Sequence, residues 1–293
     1  MEDLFQVGHE IFPIDPSVRV SKSSVCSAPP GDAAAAESRL AADLKALGVR
    51  PGGVLLVHSS LSALGWVPGG PETVIRGLEA ALGSDGTLLL PALSYERVTR
   101  DQPVFDVLRT PGNVGTIPEW FRTRPGTLRS VHPTHSVCAA GPRAAELTDG
   151  HELDDTPVGP HSPFRRVRDT GGQVLFLGCD LTPNTSMHGV EELAGPPYLY
   201  ADPVDYTIVL PSGEKIVHRH RPHGFAGVEQ RYDRIASLVE PAGALWTGRA
   251  LSGTAHLIEA APMWSLALSA LRANPWHFVE RVGDIADHST SIR

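Results

Sequence analysis

Three short apolar runs constrain the fold of this chain more than any other feature. They read G-V-L-L-V-H, G-T-L-L-L-P and V-L-F-L-G, at residues 53–58, 86–91 and 174–178. Each is short and bounded by glycine or proline, which is typical of strands covered on both faces. Helical spacing recurs around them, at residues 38–47, 71–82, 116–124, 231–239 and 262–271. Two further runs, at 206–210 and 215–220, flank P-S-G and predict a hairpin. We therefore expect an α/β fold, layered α/β/α around a mixed, partly antiparallel sheet.

The 293 residues would allow two domains. Strands and helices alternate with no obvious linker, which favours one large domain over residues 37–293. Residues 1–36 mix single hydrophobic residues with prolines and an alanine run. We expect them to form a poorly ordered or loosely docked leader.

The chain is acidic, with 25 Lys+Arg against 33 Asp+Glu and a formal charge of −8. This balance argues against nucleic acid or an anionic membrane as partner, because phosphate affinity comes from Lys and Arg. It is compatible with a small cationic substrate. The three cysteines form no C-x-x-C pair, and no secretory signal or spanning run is present. We therefore expect a cytoplasmic location.

Several motifs typical of nucleotide-binding proteins and hydrolases do not occur in the sequence. It contains no G-x-G-x-x-G, no Gly-Lys-Ser/Thr and no G-x-S-x-G. These absences disfavour the usual dinucleotide fold, a P-loop and an α/β-hydrolase.

The segment N-T-S-M-H-G-V-E carries a candidate general base. Thr185 or Ser186 is a natural N-cap, which places His188 in the first turn of a helix. Glu191 follows at i+3 on the same face, where its carboxylate can orient the imidazole and stabilise it once protonated. The alternative is an ordinary surface His–Glu pair.

Two polar loops follow or precede predicted strands. Ser59, Ser60 and Ser62 come directly after the first apolar run, where hydroxyl and backbone N–H groups suit a phosphate or pyrophosphate. An ordinary strand–helix loop would look the same. The segment H-P-T-H-S, at 132–136, could supply donors to a developing oxyanion or simply loop polar groups.

Histidines at 218, 220 and 223 provide a different hypothesis. His218 and His220 would share one strand face, which is possible metal-ligand spacing. A metal-dependent hydrolase using these residues is therefore a competing function, although a solvated strand end explains the spacing equally simply. A third hypothesis is a non-catalytic ligand-binding or biosynthetic scaffold protein.

In their linear order these blocks resemble the aminoglycoside 3-N-acetyltransferase family, which is distinct from the GNAT acyltransferases. The matching segments span about residues 38–280 and include V-H-S-S-L-S-A-L-G-W-V-P-G-G, D-G-T-L-L-L-P, V-G-T-I-P-E-W-F-R, H-P-T-H-S-V-C-A-A-G, G-P-H-S-P-F and N-T-S-M-H-G-V-E. The leader lies outside the match.

The resemblance implies an acyltransferase that moves the acetyl group of acetyl-CoA to an amine, with no metal expected. His188 would be the base and Glu191 its support. The implied cofactor-binding residues are Ser59, Ser60, Leu61, Ser62, Gly65, His132, Thr134 and Ser136.

The resemblance supports the reaction better than the acceptor. Enzymes acting on aminoglycosides often carry H-P-D-A-S where this chain has H-P-T-H-S, and often a more apolar start to the H-x-x-E helix. The 3-amino group of an aminoglycoside, in antibiotic resistance, is the leading acceptor, and a biosynthetic amine is the alternative. A polycationic sugar would need carboxylates, for which the candidates are Asp101, Asp106, Asp154, Asp155 and Glu192. A homodimer is compatible with this interpretation.

Overall fold

The computed structural model describes residues 4–7, 10–13 and 30–282. The first two segments are the paired strands β1 (Leu4–Val7) and β2 (Glu10–Pro13). The rest of the predicted leader up to residue 29 lies outside the described residues. None of the described helices is long and apolar enough to cross a membrane.

The helices are α1 Pro30–Leu47, α2 Gly70–Leu82, α3 Thr116–Thr123, α4 Ala144–Thr148, α5 Pro163–Asp169, α6 Ser186–Ala194, α7 Ala236–Val239 and α8 Ala260–Ala273. The remaining strands are β3 Val54–Ser59, β4 Thr87–Pro91, β5 Val104–Asp106, β6 Leu128–Arg129, β7 Val137–Ala140, β8 Gln173–Leu177, β9 Val204–Val209, β10 Lys215–His220, β11 Val228–Gln230, β12 Leu245–Ala250, β13 Gly253–Glu259 and β14 Val279–Arg281.

A seven-stranded sheet forms the centre of the molecule, in the order β12-β13-β8-β3-β4-β7-β6. The three apolar runs identified in the sequence are its three central strands. β3 pairs in parallel with both β4 and β8, while the flanking pairs are antiparallel. The predicted mixed, partly antiparallel sheet is confirmed.

Helices cover both faces of this sheet because the apolar residues of its central strands point to both sides. Leu55 and Val57 pack with residues of α1, α2 and α3 on one face. Leu56 and Phe176 pack with residues of α5, α6 and α8 on the other. Successive strand residues point to opposite faces, so one strand contributes to both cores. The predicted α/β/α layering is confirmed.

A smaller sheet, in the order β10-β9-β5, stands beside the main one. Its β9–β10 pair is the predicted hairpin. Strand β10 has the predicted bounds, whereas β9 begins two residues earlier and ends one residue earlier than the sequence indicated. Phe105, Tyr206 and Ile208 form the centre of a separate small core for it. This sheet carries the chain back toward the end of β8, where the candidate site lies.

Sequence patterns failed at the periphery of the fold. The helix expected over 231–239 is a 3-10 turn, Tyr232–Ile235, followed by the single turn of α7. Strand β12 was not predicted, because L-W-T-G-R-A lacks a clear alternation and contains glycine. It exists because β13 offers a long antiparallel edge to pair with.

Candidate active site

A cavity of about 430 Å³ opens at the carboxyl end of β8. Three histidines line it: His135, His188 and His223. Tyr95, Phe225 and Tyr232 supply aromatic walls. Ligands in α/β sheets bind beyond the carboxyl ends of parallel strands, and this cavity occupies such a position.

Helix α6 places His188 at the cavity. The chain leaves β8 through Gly178, whose φ is +73° and where a Cβ would lie 2.7 Å from the Ser60 carbonyl oxygen. Thr185 precedes the helix, as predicted, but its side chain makes no capping hydrogen bond. His188 is the third residue of α6, so the expected position in the first turn is confirmed.

A tyrosine stands between the predicted base and its carboxylate. The Tyr232 hydroxyl lies 2.9 Å from His188 Nδ1 and donates to Glu191 Oε2 at 2.8 Å. Because its single proton goes to the carboxylate, the hydroxyl must accept from Nδ1–H. The direct Nδ1–Oε2 separation is 3.5 Å. The lone pair of His188 is therefore on Nε2, the atom that a base would use.

Two phenols satisfy the buried Glu191 carboxylate. The side chain is fully buried, and Tyr198 donates to Oε1 at 3.0 Å while Tyr232 donates to Oε2. Burial and the adjacent Glu191 raise the pKa of Tyr232 well above 10, so this phenol remains a donor. The carboxylate thus has a donor on each oxygen in an otherwise apolar layer.

His135 and His223 surround His188 on two further sides. Their ring centroids lie 5.5 Å and 5.0 Å from that of His188. Burial, followed by repulsion from His188, holds the pKa of each well below 6.5. Both rings are consequently neutral at neutral pH.

The serine segment lies at the same edge of the sheet. Ser59 ends β3, and Ser60 donates its backbone N–H to Leu177 at the end of β8. Leu61 and Ser62 continue into a 3-10 turn that ends at Gly65, whose φ is +77°. These residues lie at the carboxyl ends of the parallel strands β3 and β8, and their cofactor role stays a prediction.

A smaller cavity of about 90 Å³ connects this loop with the histidine cavity. His58, Ser59 and Cys179 line it, and it shares Val114, Pro183 and Thr185 with the larger cavity. The Ser59 hydroxyl is buried and has no hydrogen-bond partner among the described residues. It is therefore available for a hydrogen bond with a ligand.

The predicted cofactor residues at 132–136 brace a loop. His132 is fully buried, and its Nδ1 accepts N–H bonds from Thr134 and His135. Ser136 is also fully buried and donates to the Ala92 carbonyl oxygen at 2.9 Å. The residue of this segment that reaches the cavity is His135, to which Thr134 Oγ1 is hydrogen-bonded at 2.9 Å.

None of the acidic acceptor candidates lines the histidine cavity. Asp101 is exposed, and Asp106 accepts the N–H groups of its own turn. Asp154 is buried and binds His161. Glu192 is the nearest to the cavity, because its Oε1 lies 2.9 Å from Nε2 of the lining residue His223.

The histidines of the metal hypothesis separate in space. His218 Nδ1 and His220 Nε2 lie 2.9 Å apart and bond each other, and His218 Nε2 faces Asp155 at 3.4 Å. His223 instead joins His135 and His188. The three histidines of the hydrolase hypothesis therefore do not converge on one point.

Sequence reasoning missed Tyr232, Tyr198 and the cavity role of His135. No local sequence pattern marks the two tyrosines: Tyr198 lies 7 residues and Tyr232 lies 41 residues after Glu191. In the sequence His135 is one of two histidines in H-P-T-H-S, and the predicted cofactor-binding role was given to the other one, His132.

Comparison with known proteins identifies the family of this chain. The family model described as aminoglycoside 3-N-acetyltransferase matches residues 56–272. The chain is 36% identical over 254 residues to aminoglycoside N(3)-acetyltransferase VIII of Streptomyces fradiae, covering 76% of this chain and 87% of the relative. The predicted family is confirmed: the chain belongs to the aminoglycoside 3-N-acetyltransferase family, and it is an acyltransferase.

Solved structures share the fold. A binary complex of AAC-IIIb with CoASH superposes with a TM-score of 0.72 at 30% identity, over 81% of this chain and 96% of that one. A mutant of aminoglycoside acetyltransferase AAC(3)-IVa in complex with apramycin superposes with a TM-score of 0.69 at 31% identity, over 82% and 93%.

Proposed function

We propose that this protein transfers the acetyl group of acetyl-CoA to the 3-amino group of an aminoglycoside, with His188 as general base. The observation that carries the proposal is the free Nε2 of His188, held by Tyr232 and Glu191 and directed at a cavity. The names of the relatives supply the acceptor class, and the complex with CoASH supplies the donor.

The geometry supports direct transfer within one complex. The neutral amine nitrogen of the acceptor attacks the thioester carbonyl carbon, and His188 Nε2 takes the proton that this nitrogen loses as the bond forms. The C–N bond forms, and the carbonyl oxygen carries negative charge in the tetrahedral intermediate. The C–S bond then breaks, and the proton on His188 passes to the departing CoA thiolate. Amide and CoASH leave, and the histidine is neutral again.

Glu191 acts on this reaction through Tyr232. Imidazolium forms transiently at His188, close to the positive end of the α6 dipole, which disfavours it. The buried carboxylate offsets that effect across the phenol, with Nδ1 and Oε2 only 3.5 Å apart. The arrangement performs the role that a directly bonded carboxylate performs in a Ser-His-Asp triad.

The donor would lie along the serine segment. In the proposal, Ser59, Ser60, Leu61, Ser62 and Gly65 hold the pantetheine and pyrophosphate with hydroxyl and backbone N–H groups. The small cavity beside Ser59 leads the thioester toward His188, because the two cavities share lining residues. His132, Thr134 and Ser136 would act on the donor indirectly, by shaping the loop that presents His135.

In the proposal, the positive charge of the acceptor is stabilised although no carboxylate of the described residues lines the histidine cavity. Tyr95, Phe225 and Tyr232 offer aromatic faces to ammonium groups. Glu192 adds negative potential behind His223. In the proposal Asp101, Asp106 and Asp154 contribute only to the general negative field that attracts a polyamine.

Turnover of acetyl-CoA against aminoglycosides and simple polyamines tests the proposal. We expect thiol release with aminoglycosides, and NMR of the product should show acetylation at the 3-amino group. Exchange of His188 for alanine should lower kcat by roughly 10²- to 10⁴-fold, because general-base catalysis is lost. CoA affinity, measured by calorimetry, should survive the exchange.

A matched control is His256→Ala, since His256 lies on β13 and is bonded to Thr247 away from the cavity. Full turnover by the His188 variant would disprove the mechanism. Turnover with small amines but not with aminoglycosides would favour a biosynthetic acceptor instead.

The proposal includes a cytoplasmic location, where acetyl-CoA is made and where Cys138 and Cys179 stay reduced. It also includes a homodimer, which light scattering of the purified protein would test.

A further inference from the structure

The histidine cavity has the donor set of a metal site. One ring nitrogen from each of His135, His188 and His223 lies within 4.8 Å of the other two. The rings come from three separate parts of the chain: the loop before β7, helix α6 and the loop after β10. Nothing in the proposed acetyl transfer requires the second and third histidines to converge on the first.

Hydrogen bonds occupy the outer nitrogen of each of the three rings. Each ring uses its other nitrogen on an outer oxygen: His135 Nδ1 on Thr134 Oγ1, His188 Nδ1 on Tyr232 and His223 Nε2 on Glu192. Zinc-bound histidines show this pattern, with the non-ligating N–H bonded to a carboxylate or another oxygen. The inward atoms are therefore Nε2, Nε2 and Nδ1.

One of these inward atoms lacks any other use. His223 Nδ1 is buried and has no hydrogen-bond partner in the described part of the chain. Leaving a buried polar atom unpaired costs stability, so its orientation toward the two other lone pairs suggests a ligand. Burial keeps His135 and His223 neutral, and only neutral imidazole binds a metal.

We propose that His135, His188 and His223 bind Zn²⁺ and that the bound ion inhibits the enzyme by occupying the Nε2 lone pair of His188. Three histidines and an open fourth position facing a cavity are a common zinc arrangement. The Zn–N distance of about 2.0–2.1 Å needs a small inward rotation of the rings from their present separation. The inhibitory part of this inference rests on the proposed function, whereas metal binding does not.

The occupant would be a soft or borderline divalent cation. Mg²⁺ and Ca²⁺ prefer oxygen ligands, and the inward set contains only nitrogen. The ion would take the place of the acceptor amine, because both need the same nitrogen. Zn²⁺ is thus expected to compete with the acceptor.

Metal binding is tested directly with Co²⁺ as a spectroscopic probe on the purified full chain. A 1:1 complex with intense visible absorption, displaced by Zn²⁺, is expected for a four-coordinate histidine site. Calorimetry with Zn²⁺ alone gives the affinity. Absence of both signals would overturn the proposal.

Three isosteric variants identify the ligands. His223→Gln keeps an N–H for Glu192, while His188→Asn and His135→Asn keep an amide at the Nδ1 position for Tyr232 and Thr134. Each removes one inward nitrogen and should weaken Co²⁺ and Zn²⁺ binding by roughly 100-fold. Thermal unfolding establishes that each variant folds. His256→Gln is the control and should bind as the parent does; equal binding by all folded variants would place the metal elsewhere.

Kinetics distinguish the two proposals. Initial rates of acetylated product, followed by mass spectrometry, should show Zn²⁺ raising KM for the amine with kcat unchanged, and a chelator should restore the rate. Co²⁺ binding without turnover of any amine would overturn the proposed function and leave the metal site. Turnover that Zn²⁺ does not affect, together with no Co²⁺ spectrum, would overturn the metal site and leave the proposed function.

Discussion

A single hydroxyl group determines how the imidazole of His188 is oriented. Tyr232 separates His188 from Glu191 and is hydrogen-bonded to both. A phenylalanine there would leave Nδ1–H and the carboxylate 3.5 Å apart with no atom between them. The imidazole would then lose the bond that holds its tautomer and its direction.

We expect Tyr232→Phe to lower kcat by roughly 10- to 100-fold while KM for the amine stays within about twofold, because the hydroxyl acts on the base rather than on the substrate. Steady-state kinetics over a range of acceptor concentrations measure both constants. Tyr206→Phe is the matched control, since Tyr206 belongs to the core of the small sheet. A rise in KM with unchanged kcat would assign Tyr232 to acceptor binding instead.

At the scale of elements, helix α6 depends on its close contact with α8. A Cβ on Gly189 would lie 2.1 Å from the Trp264 ring and 2.6 Å from Val158. The glycine is needed for this approach, since Trp264 and Val158 are both packed core residues. The position of His188, one residue earlier, follows from the same contact.

Gly189→Ala should therefore destabilise the protein by about 1–3 kcal/mol through overpacking. It should also lower kcat, because α6 must move away from α8 and carries His188 with it. Urea unfolding and turnover measure the two effects. Leu193→Ala, at a residue 39% exposed on the same helix, should change stability by less than about 1 kcal/mol. Unchanged stability in Gly189→Ala would mean that the contact is not tight.

At the scale of the whole molecule, buried histidines should make the fold sensitive to acid. Burial is the largest cause of a pKa far below 6.5 at six of them, among which the values for His58, His151 and His220 are about 3. The six are His58, His132, His135, His151, His220 and His223. The unfolded chain binds these protons near pH 6.5, whereas the folded chain does not.

Stability should hence be complete above pH 6.5 and fall as the pH drops toward 3, because the unfolded state takes up more protons. Each histidine contributes up to about 1.4 kcal/mol of loss per pH unit in this range. We expect the free energy of unfolding in urea to fall steeply between pH 6.5 and 5. His151→Asn retains an amide for Ser130 and should reduce the slope by about one proton. An unchanged slope in this variant would show that His151 is not neutral in the fold.

Local patterns predicted the parts of this protein that depend on neighbours in the sequence. The three apolar runs became the central strands, since a strand that is apolar at every position can only be buried on both faces. His188 and Glu191 came together because three residues make nearly one helical turn. The order of motifs also identified the family.

Tertiary structure alone decided which distant side chains meet. Tyr232 reaches His188 across 44 residues, and His135 and His223 come to it from the loop before β7 and the loop after β10. The same packing buried the side chains of His132, Ser136 and Glu192. These outcomes depend on strand order and helix contacts, which no periodicity in the chain records. The sequence by itself therefore determined the family and the i, i+3 placement of His188 and Glu191, whereas the fold decided that Tyr232 lies between them and that His135 and His223 lie beside His188.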